Sequence, residues 1–311
     1  LMDHFGSAGD ALGALPDFAG RGGKRNIKIA STAKADEELS RLAALDAQTV
    51  TLGEPDYPSA LAAIDDAPPV LVVRGNPAAL TQIGIAIVGA RNASANGRRI
   101  AEVLAAELAA DPGVAIISGL ARGIDTSAHA GAISEGGATV AVMAGGIDIV
   151  YPPENEDLYR NILETGAIVS EMPPGVKPVA RHFPRRNRIV SGLSLAVIVV
   201  EAAQRSGSLI TARLAGEQGR AVLAVPGSPL DPRAFGANHL IREGAILIRN
   251  AEDVFEAVRP MATPAMPLVE TPSPQSRAPV LDLDSPGTSS RETVISCLSP
   301  EPVAVDEIVR R

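Results

Sequence analysis

The chain has 311 residues, of which 46% are apolar and 21% charged, and its formal net charge is −8. This composition predicts a globular protein of one large or two smaller domains, and the acidic balance argues against nonspecific attraction to polyanions. The single cysteine excludes an internal disulfide, and no apolar run is long enough to span a membrane, so we expect a cytoplasmic protein without a membrane segment.

The first part of the chain predicts small helical elements followed by two strands. Residues 1–47 combine short apolar turns, glycines and a helical pattern over residues 37–45. Apolar runs at residues 48–52 and 70–74 predict a strand pair, and the sequence DYPSAL between them predicts a turn that leads into a short helix.

From residue 83 the sequence alternates regularly between strand and helix patterns. Strands are predicted at residues 85–89, 114–118, 139–144, 167–170, 195–201, 221–225 and 246–248. Helices are predicted at residues 96–110, 124–135, 155–165, 183–193, 209–218, 238–243 and 251–258. The strands lack period-two alternation and are therefore buried on both faces, which predicts a mainly parallel, doubly wound α/β sheet over residues 48–259.

The last part of the chain differs in composition from the rest. Residues 260–286 contain seven prolines together with Thr, Ser and Gln, and residues 260–290 are predicted to form an extended or disordered linker. Residues 291–311 contain two short amphipathic segments, which are typical of the first helices of a small helical domain. About 20 residues are too few to bury a core, so we expect this domain to be incomplete here.

The turns after the predicted strands carry small residues and arginines. In a doubly wound sheet these turns lie at the carboxyl ends of the strands, where ligands bind. Backbone N–H groups and helix N-termini bind anions there, and arginine forms a bidentate fork for phosphate. Such turns are the sequences Gly89-Ala90-Arg91, Ser118-Gly119-Leu120-Ala121-Arg122 and Ser206-Gly207-Ser208. Taken singly, each is explained better by the structural need for glycine in a strand-to-helix turn than by ligand binding.

The sequence RHFPRRNRIVSGLS at residues 181–194 places four arginines within eight residues of an acidic chain. Such a run is also typical of a solvated helix face whose arginines pair with carboxylates. The dinucleotide fingerprint is absent after the first parallel strand, where GARNASANG stands, and a phosphate-binding loop for ATP is absent throughout. Because an extended row of arginines suits a polymer backbone better than one compact phosphate, we favour a nucleic acid as ligand. The four histidines have no metal-ligand spacing, so we expect no metal.

A series of motifs over residues 56–258 resembles the DNA-processing protein A family (DprA, also called Smf). The motifs are GARNAS, SGLARGIDTSAH, GGIDIVYPPEN, SEMPPG, FPRRNRIVSGLS, VVEAAQRSGSLITARLAGEQGR, VPGS and GANHLIREGA, in the family order. The resemblance implies an extended Rossmann-like fold that binds single-stranded DNA, forms a homodimer and loads the recombinase RecA in natural transformation, without catalysis or a cofactor. It also implies that residues 1–47 are the remnant of a helical domain of the sterile-alpha-motif type and that residues 291–311 begin a winged-helix-like domain.

The resemblance also assigns individual positions. The family's strand-end Gly-Ser-Arg corresponds to Gly89-Ala90-Arg91, so Arg91 keeps a phosphate-binding role while the serine hydroxyl is lost at Ala90. Some relatives carry lysines where Pro153 and Ala180 stand here, and Lys177 and Arg181 are the candidates to replace them. The expected DNA-binding residues are Gly89, Arg91, Ser118, Gly119, Arg122, Lys177, Arg181, Phe183, Arg185, Arg186, Asn187, Arg188, Ser206, Gly207 and Ser208.

Several roles stay open at this point. Phe183 either stacks on a base or packs as a core or hinge residue, and Asn187 either contacts a base edge or caps a helix. Arg122 either binds phosphate or pairs with Asp125 or Glu135. His129 and His239 are expected to be structural.

Two other functions remain as alternatives. One is a nucleotide-processing enzyme of the lysine-decarboxylase-like phosphoribohydrolase class, with Glu171 or Asp125 as acid or base, although that group's PGGxGTxxE signature is missing. The other is a scaffold for protein partners, in which the Pro-rich linker and the C-terminal segment carry the function.

Overall fold

Runs of buried Val, Ile, Leu and Ala form a nine-stranded sheet at the centre of the protein. The structure is a computed structural model that describes residues 5–21, 29 and 31–262. The strands are β1 (Ala47–Thr51), β2 (Val70–Gly75), β3 (Ile83–Val88), β4 (Val114–Ser118), β5 (Ala138–Val142), β6 (Ala167–Ser170), β7 (Ala196–Val199), β8 (Ala221–Ala224) and β9 (Ile246–Leu247). The predicted linker beyond residue 262 and the segment at residues 291–311 lie outside the described residues.

Ten α-helices are found among the described residues, and two 3₁₀ turns, Pro77–Leu80 and Pro153–Asn155, accompany them. The helices are α1 (Ala8–Arg21), α2 (Thr32–Ala44), α3 (Ser59–Ala62), α4 (Ala95–Ala109), α5 (Ile124–Ser134), α6 (Glu156–Thr165), α7 (His182–Gly192), α8 (Ser208–Glu217), α9 (Phe235–Arg242) and α10 (Ala251–Ala262). The described residues belong to one compact unit, Leu1–Ala262. None of their helices is both long and apolar enough to cross a bilayer.

The strand order confirms the predicted doubly wound architecture. The order is β1-β2-β6-β5-β4-β3-β7-β8-β9, and every neighbouring pair from β6 to β9 is parallel. The strand pair predicted at residues 48–52 and 70–74 is present as β1 and β2, which add antiparallel to the edge of the sheet at β6. From β3 the chain proceeds in one direction as far as β6 and then returns to the other side of β3 with β7. The topological switch point therefore lies between β3 and β7, where such sheets open a crevice for ligands.

Side chains of β3 alternate between two apolar cores, one on each face of the sheet. Ile85 and Ile87 belong to the core that includes residues of α4, α5 and α10. Ala86 and Val88 belong to the core that includes residues of α7, α8 and α9. The sheet is thus covered by helices on both faces, which is why its strands are continuously apolar in sequence.

Most predicted boundaries lie within one to three residues of the observed ones. The strand predicted at residues 195–201 ends at Val199, because Val199 is the last residue to pair with β3 and the chain then turns so that Glu201 reaches the start of α4. The last predicted helices are longer than expected, since α9 begins at Phe235 and α10 continues to Ala262.

Candidate nucleic-acid interface

A cleft of about 680 Å3 opens at the switch point between β3 and β7. Its walls are the turns after β3 and β4, the first half of α7, and the segment between β7 and α8. Nine of the fifteen predicted residues line it: Gly89, Arg91, Gly119, Phe183, Arg186, Asn187, Ser206, Gly207 and Ser208. Residues that are distant in sequence therefore form one concave surface at the position that the topology favours for a ligand.

The lining of the cleft is strongly basic. Its ionisable residues are four arginines, Arg91, Arg186, Arg205 and Arg233, and a single aspartate, Asp125. The whole chain, by contrast, has a formal net charge of −8. Positive charge is therefore concentrated at this cleft, and a concave surface lined by one sign of charge attracts ligands of the opposite sign.

Arg91 and Phe183 form a contact at the mouth of the cleft. The Arg91 guanidinium lies over the Phe183 ring, with its Cζ atom 4.9 Å from the ring centroid. Arg91 is exposed and takes part in none of the ion pairs found among the described residues. The cation–π contact orients the guanidinium while its N–H groups stay accessible to an anion.

Arg186 forms part of the floor of the cleft and is only 7% exposed. Its Nη1 donates to the Val142 carbonyl at 2.7 Å, and the guanidinium lies so close to Gly119 that a Cβ there would collide with it. Asp125 lies beside it, and its Oδ2 accepts hydrogen bonds from the backbone N–H groups of Gly119 at 3.1 Å and Ala121 at 3.3 Å. Burial raises the pKa of Asp125, while the charge of Arg186 and these hydrogen bonds oppose the rise. Arg186, which the sequence predicted as a phosphate ligand, is therefore mostly buried in the floor of the cleft.

The other two arginines of the motif face a different site. Arg185 and Arg188 are three residues apart on α7, and both donate to Oε1 of Glu171, at 2.8 and 2.6 Å. Arg188 also lies 3.5 Å from Asp66, and its side chain is only 9% exposed. These residues line a separate cavity of about 460 Å3. The structure therefore divides the predicted row of arginines into two groups, because neighbouring residues of a helix point in different directions.

The remaining predicted residues lie outside the lining of the main cleft. The Ser118 hydroxyl is fully buried and donates to the Ile87 carbonyl at 2.7 Å, so it joins two strands. Arg122 forms an ion pair with Glu154, rather than with Asp125 or Glu135 as the sequence suggested. Lys177 and Arg181 are exposed side chains.

The N-termini of α8 and α4 differ in the groups that they face. The helix α8 begins at Ser208, and Ser206, Gly207 and Ser208 line the cleft at its positive end. The N-terminus of α4 is already occupied, since Glu201 accepts hydrogen bonds from the backbone N–H of Ser94 at 2.8 Å and from its hydroxyl. In dinucleotide-binding Rossmann proteins the first helix N-terminus of the parallel sheet holds the pyrophosphate. Here a carboxylate of the chain fills that position, in agreement with the missing fingerprint.

Arg205 and Arg233 line the cleft but are absent from the predicted site. Arg205 directly precedes Ser206 in the turn after β7. Because Ser206 was a predicted site residue, this position in the sequence could have identified Arg205 as a further one. Arg233 lies between β8 and α9 and pairs with Asp231 at 3.0 Å, and nothing in its sequence context pointed to the cleft. Within the described part of the chain, no group of three or more His, Cys, Asp or Glu side chains could hold a metal ion.

Family models and relatives among known proteins match most of this chain. The family model for DNA recombination-mediator protein A matches residues 48–259, and a model for a DprA-like N-terminal HHH domain matches residues 1–40. The second match describes as an HHH domain the N-terminal segment for which the resemblance implied a helical domain of the sterile-alpha-motif type. The DNA processing protein DprA of Bacillus subtilis is 46% identical over 209 residues, which are 67% of this chain and 70% of that protein. Protein Smf of Escherichia coli is 48% identical over 201 residues, 64% of this chain and 54% of that protein.

Two solved structures of relatives superpose on this chain. The DprA structure from Streptococcus pneumoniae is 40% identical, with a TM-score of 0.68, and the match covers 73% of this chain and 78% of that one. DNA processing protein A from Helicobacter pylori, whose structure was described for its single-stranded DNA binding mode, is 30% identical, with a TM-score of 0.61 over 69% of this chain and 97% of that one. With matches to both the family model and these relatives, the chain belongs to the DNA processing protein A (DprA/Smf) family of DNA recombination mediators.

Proposed function

We propose that the cleft between β3 and β7 binds single-stranded DNA by its sugar–phosphate backbone and performs no catalysis. The observation that carries the proposal is the arginine-rich lining of the cleft in a chain that is acidic as a whole, in which Arg91 and Arg205 take part in none of the ion pairs found among the described residues. Nonspecific attraction cannot account for such binding, so the local charge has to provide it. The related protein from Helicobacter pylori, described for its single-stranded DNA binding mode, supports the same ligand.

Within this proposal the cleft residues have distinct roles. Arg91 is the principal phosphate ligand, because it is exposed and forms no ion pair with a described residue. Arg205 and the N-terminus of α8 at Gly207 and Ser208 contact the next phosphates along the strand. Arg186 acts from the floor by its charge, and Phe183 offers its ring to a base.

Arg185, Arg188 and Arg122 do not bind phosphate in this account. Each is already paired with a glutamate, Arg185 and Arg188 with Glu171 and Arg122 with Glu154. Glu171 lies outside the lining of the main cleft and is held by two arginines, so it is not free to act as an acid or base on a ligand there.

We further propose that this chain protects incoming DNA, forms a homodimer and loads RecA in the cytoplasm, as its family membership implies. Support for a homodimer comes from exposed apolar side chains at one edge of the sheet. Among the described residues the edge strand β9 pairs only with β8, and it exposes Ile246 and Leu247 by 45% and 44%. An unpaired edge with exposed apolar groups is a site for association. The oligomeric state in solution tests this part of the proposal.

The binding proposal is tested by titrating a fluorescently labelled oligonucleotide of about 20 nucleotides with the protein. We expect Arg91→Ala to weaken binding about tenfold or more, because a hydrogen-bonded charge contributes about 1.5–3 kcal/mol. Arg160→Ala is the matched control, since it also removes one positive charge but lies on α6, away from the cleft. Equal effects of the two substitutions would refute the proposal, and release of base from a nucleoside monophosphate would favour the enzyme alternative.

A further inference from the structure

We propose that Tyr151 is a second stacking platform for DNA bases, next to Phe183 and beyond the main cleft. This inference rests on the proposed binding of single-stranded DNA and extends it by one subsite. It assigns a ligand contact to a residue that sequence reasoning passed over.

The exposure of Tyr151 is the first observation. The chain contains three tyrosines, of which Tyr57 and Tyr159 are 5% and 4% exposed while Tyr151 is 44% exposed. The two buried tyrosines have structural hydrogen bonds, to the carbonyls of Pro68 and Ile147 respectively. Tyr151 presents an aromatic face to solvent, and such a face is a sequence-tolerant surface on which any base can stack.

The position of Tyr151 is the second observation. Its ring centroid lies 5.7 Å from that of Phe183, with the planes tilted by 57°. The Arg91 guanidinium also lies over the Phe183 ring, with its Cζ atom 4.9 Å from the ring centroid. Arg91, Phe183 and Tyr151 therefore form a continuous row that leads from the basic cleft to the surface.

The spacing decides how a base can bind in this row. A base inserted between two parallel rings needs about 7 Å between them, twice the optimal carbon–carbon contact distance of about 3.5 Å. The 5.7 Å separation and the tilt between Phe183 and Tyr151 leave no such gap. A base therefore stacks on the exposed face of Tyr151, and the strand passes from the Arg91 cleft across Phe183 onto Tyr151.

The neighbours of Tyr151 suit a strand that passes over it. Arg91, Arg122, Phe183 and Tyr151 line one small cavity together. The Arg122 side chain is 60% exposed, and although Glu154 pairs with its charge, it borders the same cavity as the Tyr151 ring. An aromatic surface that alternates with arginines is the combination that single-stranded nucleic-acid sites use.

The composition of the chain supplies a direct test. There is no tryptophan, so the three tyrosines supply the intrinsic emission, and Tyr151 is the exposed one among them on which a base can stack. Saturating oligothymidylate should quench part of the tyrosine emission of the full chain, with thymidine monophosphate at matched absorbance as the control for light absorption. An abasic oligonucleotide of the same length should bind without that quenching.

Two variants separate stacking from other roles. Tyr151→Phe should retain affinity within about twofold, because phenylalanine also stacks, while losing the quenching signal. Tyr151→Ala should weaken binding of the labelled oligonucleotide about 5- to 100-fold. Unchanged emission on binding, together with wild-type affinity of Tyr151→Ala, would overturn this inference and leave the binding proposal standing. Failure of the wild-type chain to bind single-stranded DNA would overturn both.

Discussion

Replacing Glu171 by glutamine should destabilise the fold, because the Glu171 carboxylate neutralises the positive charges of Arg185 and Arg188 on α7. Its side chain is 11% exposed and that of Arg188 is 9% exposed, so the pair is shielded from solvent. Breaking one partner of a buried pair costs about 3–5 kcal/mol. Asp66 stays at 3.5 Å from Arg188 and glutamine still accepts a hydrogen bond, so we expect the lower end, about 3 kcal/mol. For a domain of this size that corresponds to a fall in Tm of about 6–12 °C.

The assay is thermal unfolding followed by circular dichroism, with Arg185→Ala as the matched control. Arg185 pairs with the same carboxylate, but its side chain is 58% exposed. An exposed ion pair contributes about 0–1 kcal/mol, so Arg185→Ala should lower Tm by less than about 4 °C. If Glu171→Gln melted within about 2 °C of the wild type, or if both substitutions had the same effect, the structural role assigned to the Glu171–Arg188 pair would be refuted.

Two further predictions concern buried groups near the sheet. Burial lowers the pKa of His129 to about 3. Below about pH 6.5 the unfolded chain therefore binds a proton that the folded chain does not, and this should lower the free energy of unfolding by about 2 kcal/mol between pH 7.5 and pH 5. Urea unfolding at both pH values should show a smaller change in the free energy of unfolding for His129→Gln than for the wild type. An equal change in the two proteins would contradict the assignment of this proton uptake to His129. Gly119→Ala should cost about 1–3 kcal/mol, because its methyl group collides with Arg186. Gly207→Ala should be tolerated, because a Cβ at Gly207 has nothing within 4 Å. Equal unfolding midpoints for these two variants would refute the close contact between Gly119 and the Arg186 guanidinium.

The sheet could be predicted from sequence because its determinants are local. Six of the seven apolar runs without period-two alternation are strands inside the parallel sheet, which is covered on both faces, whereas the seventh is the edge strand β9, whose Ile246 and Leu247 are exposed rather than buried as the pattern predicted. Their order then places each following turn at one edge, which is how Gly89, Arg91 and Gly207 could be grouped from the sequence alone. The structure confirms the mainly parallel doubly wound sheet.

The separate roles of Arg185, Arg186 and Arg188 could not be predicted in the same way, because they depend on burial and on partners that are distant in sequence. Arg185 and Arg188 pair with Glu171, which is 14 and 17 residues away in sequence. Arg186 points to the other side and reaches a carbonyl 44 residues away. The helical period gave a hint, since residues three apart share a face and adjacent residues do not. The partners on each face become visible only once the strands are assembled.

Ser118 illustrates a second limit of sequence reasoning. Ser118 was predicted to offer its backbone N–H to a ligand, but Ser118 does not line the cleft, and its hydroxyl points into the sheet and donates to the Ile87 carbonyl. Arg233 illustrates the reverse, because it reaches the cleft from a loop whose sequence carries no ligand signal. Side-chain direction at the end of a strand depends on register, which the sequence alone leaves undetermined.

The salt dependence of single-stranded DNA binding is the most direct test of the central claim that the cleft holds the DNA backbone. Each phosphate contact contributes about 0.7 to the slope of the logarithm of affinity against the logarithm of salt concentration for a single strand. We expect a steep slope between about 50 and 200 mM salt for the wild type, a slope smaller by about 0.7 for Arg91→Ala, and an unchanged slope for Arg160→Ala. Salt-independent binding by the wild type, or the same slope in Arg91→Ala, would contradict the account.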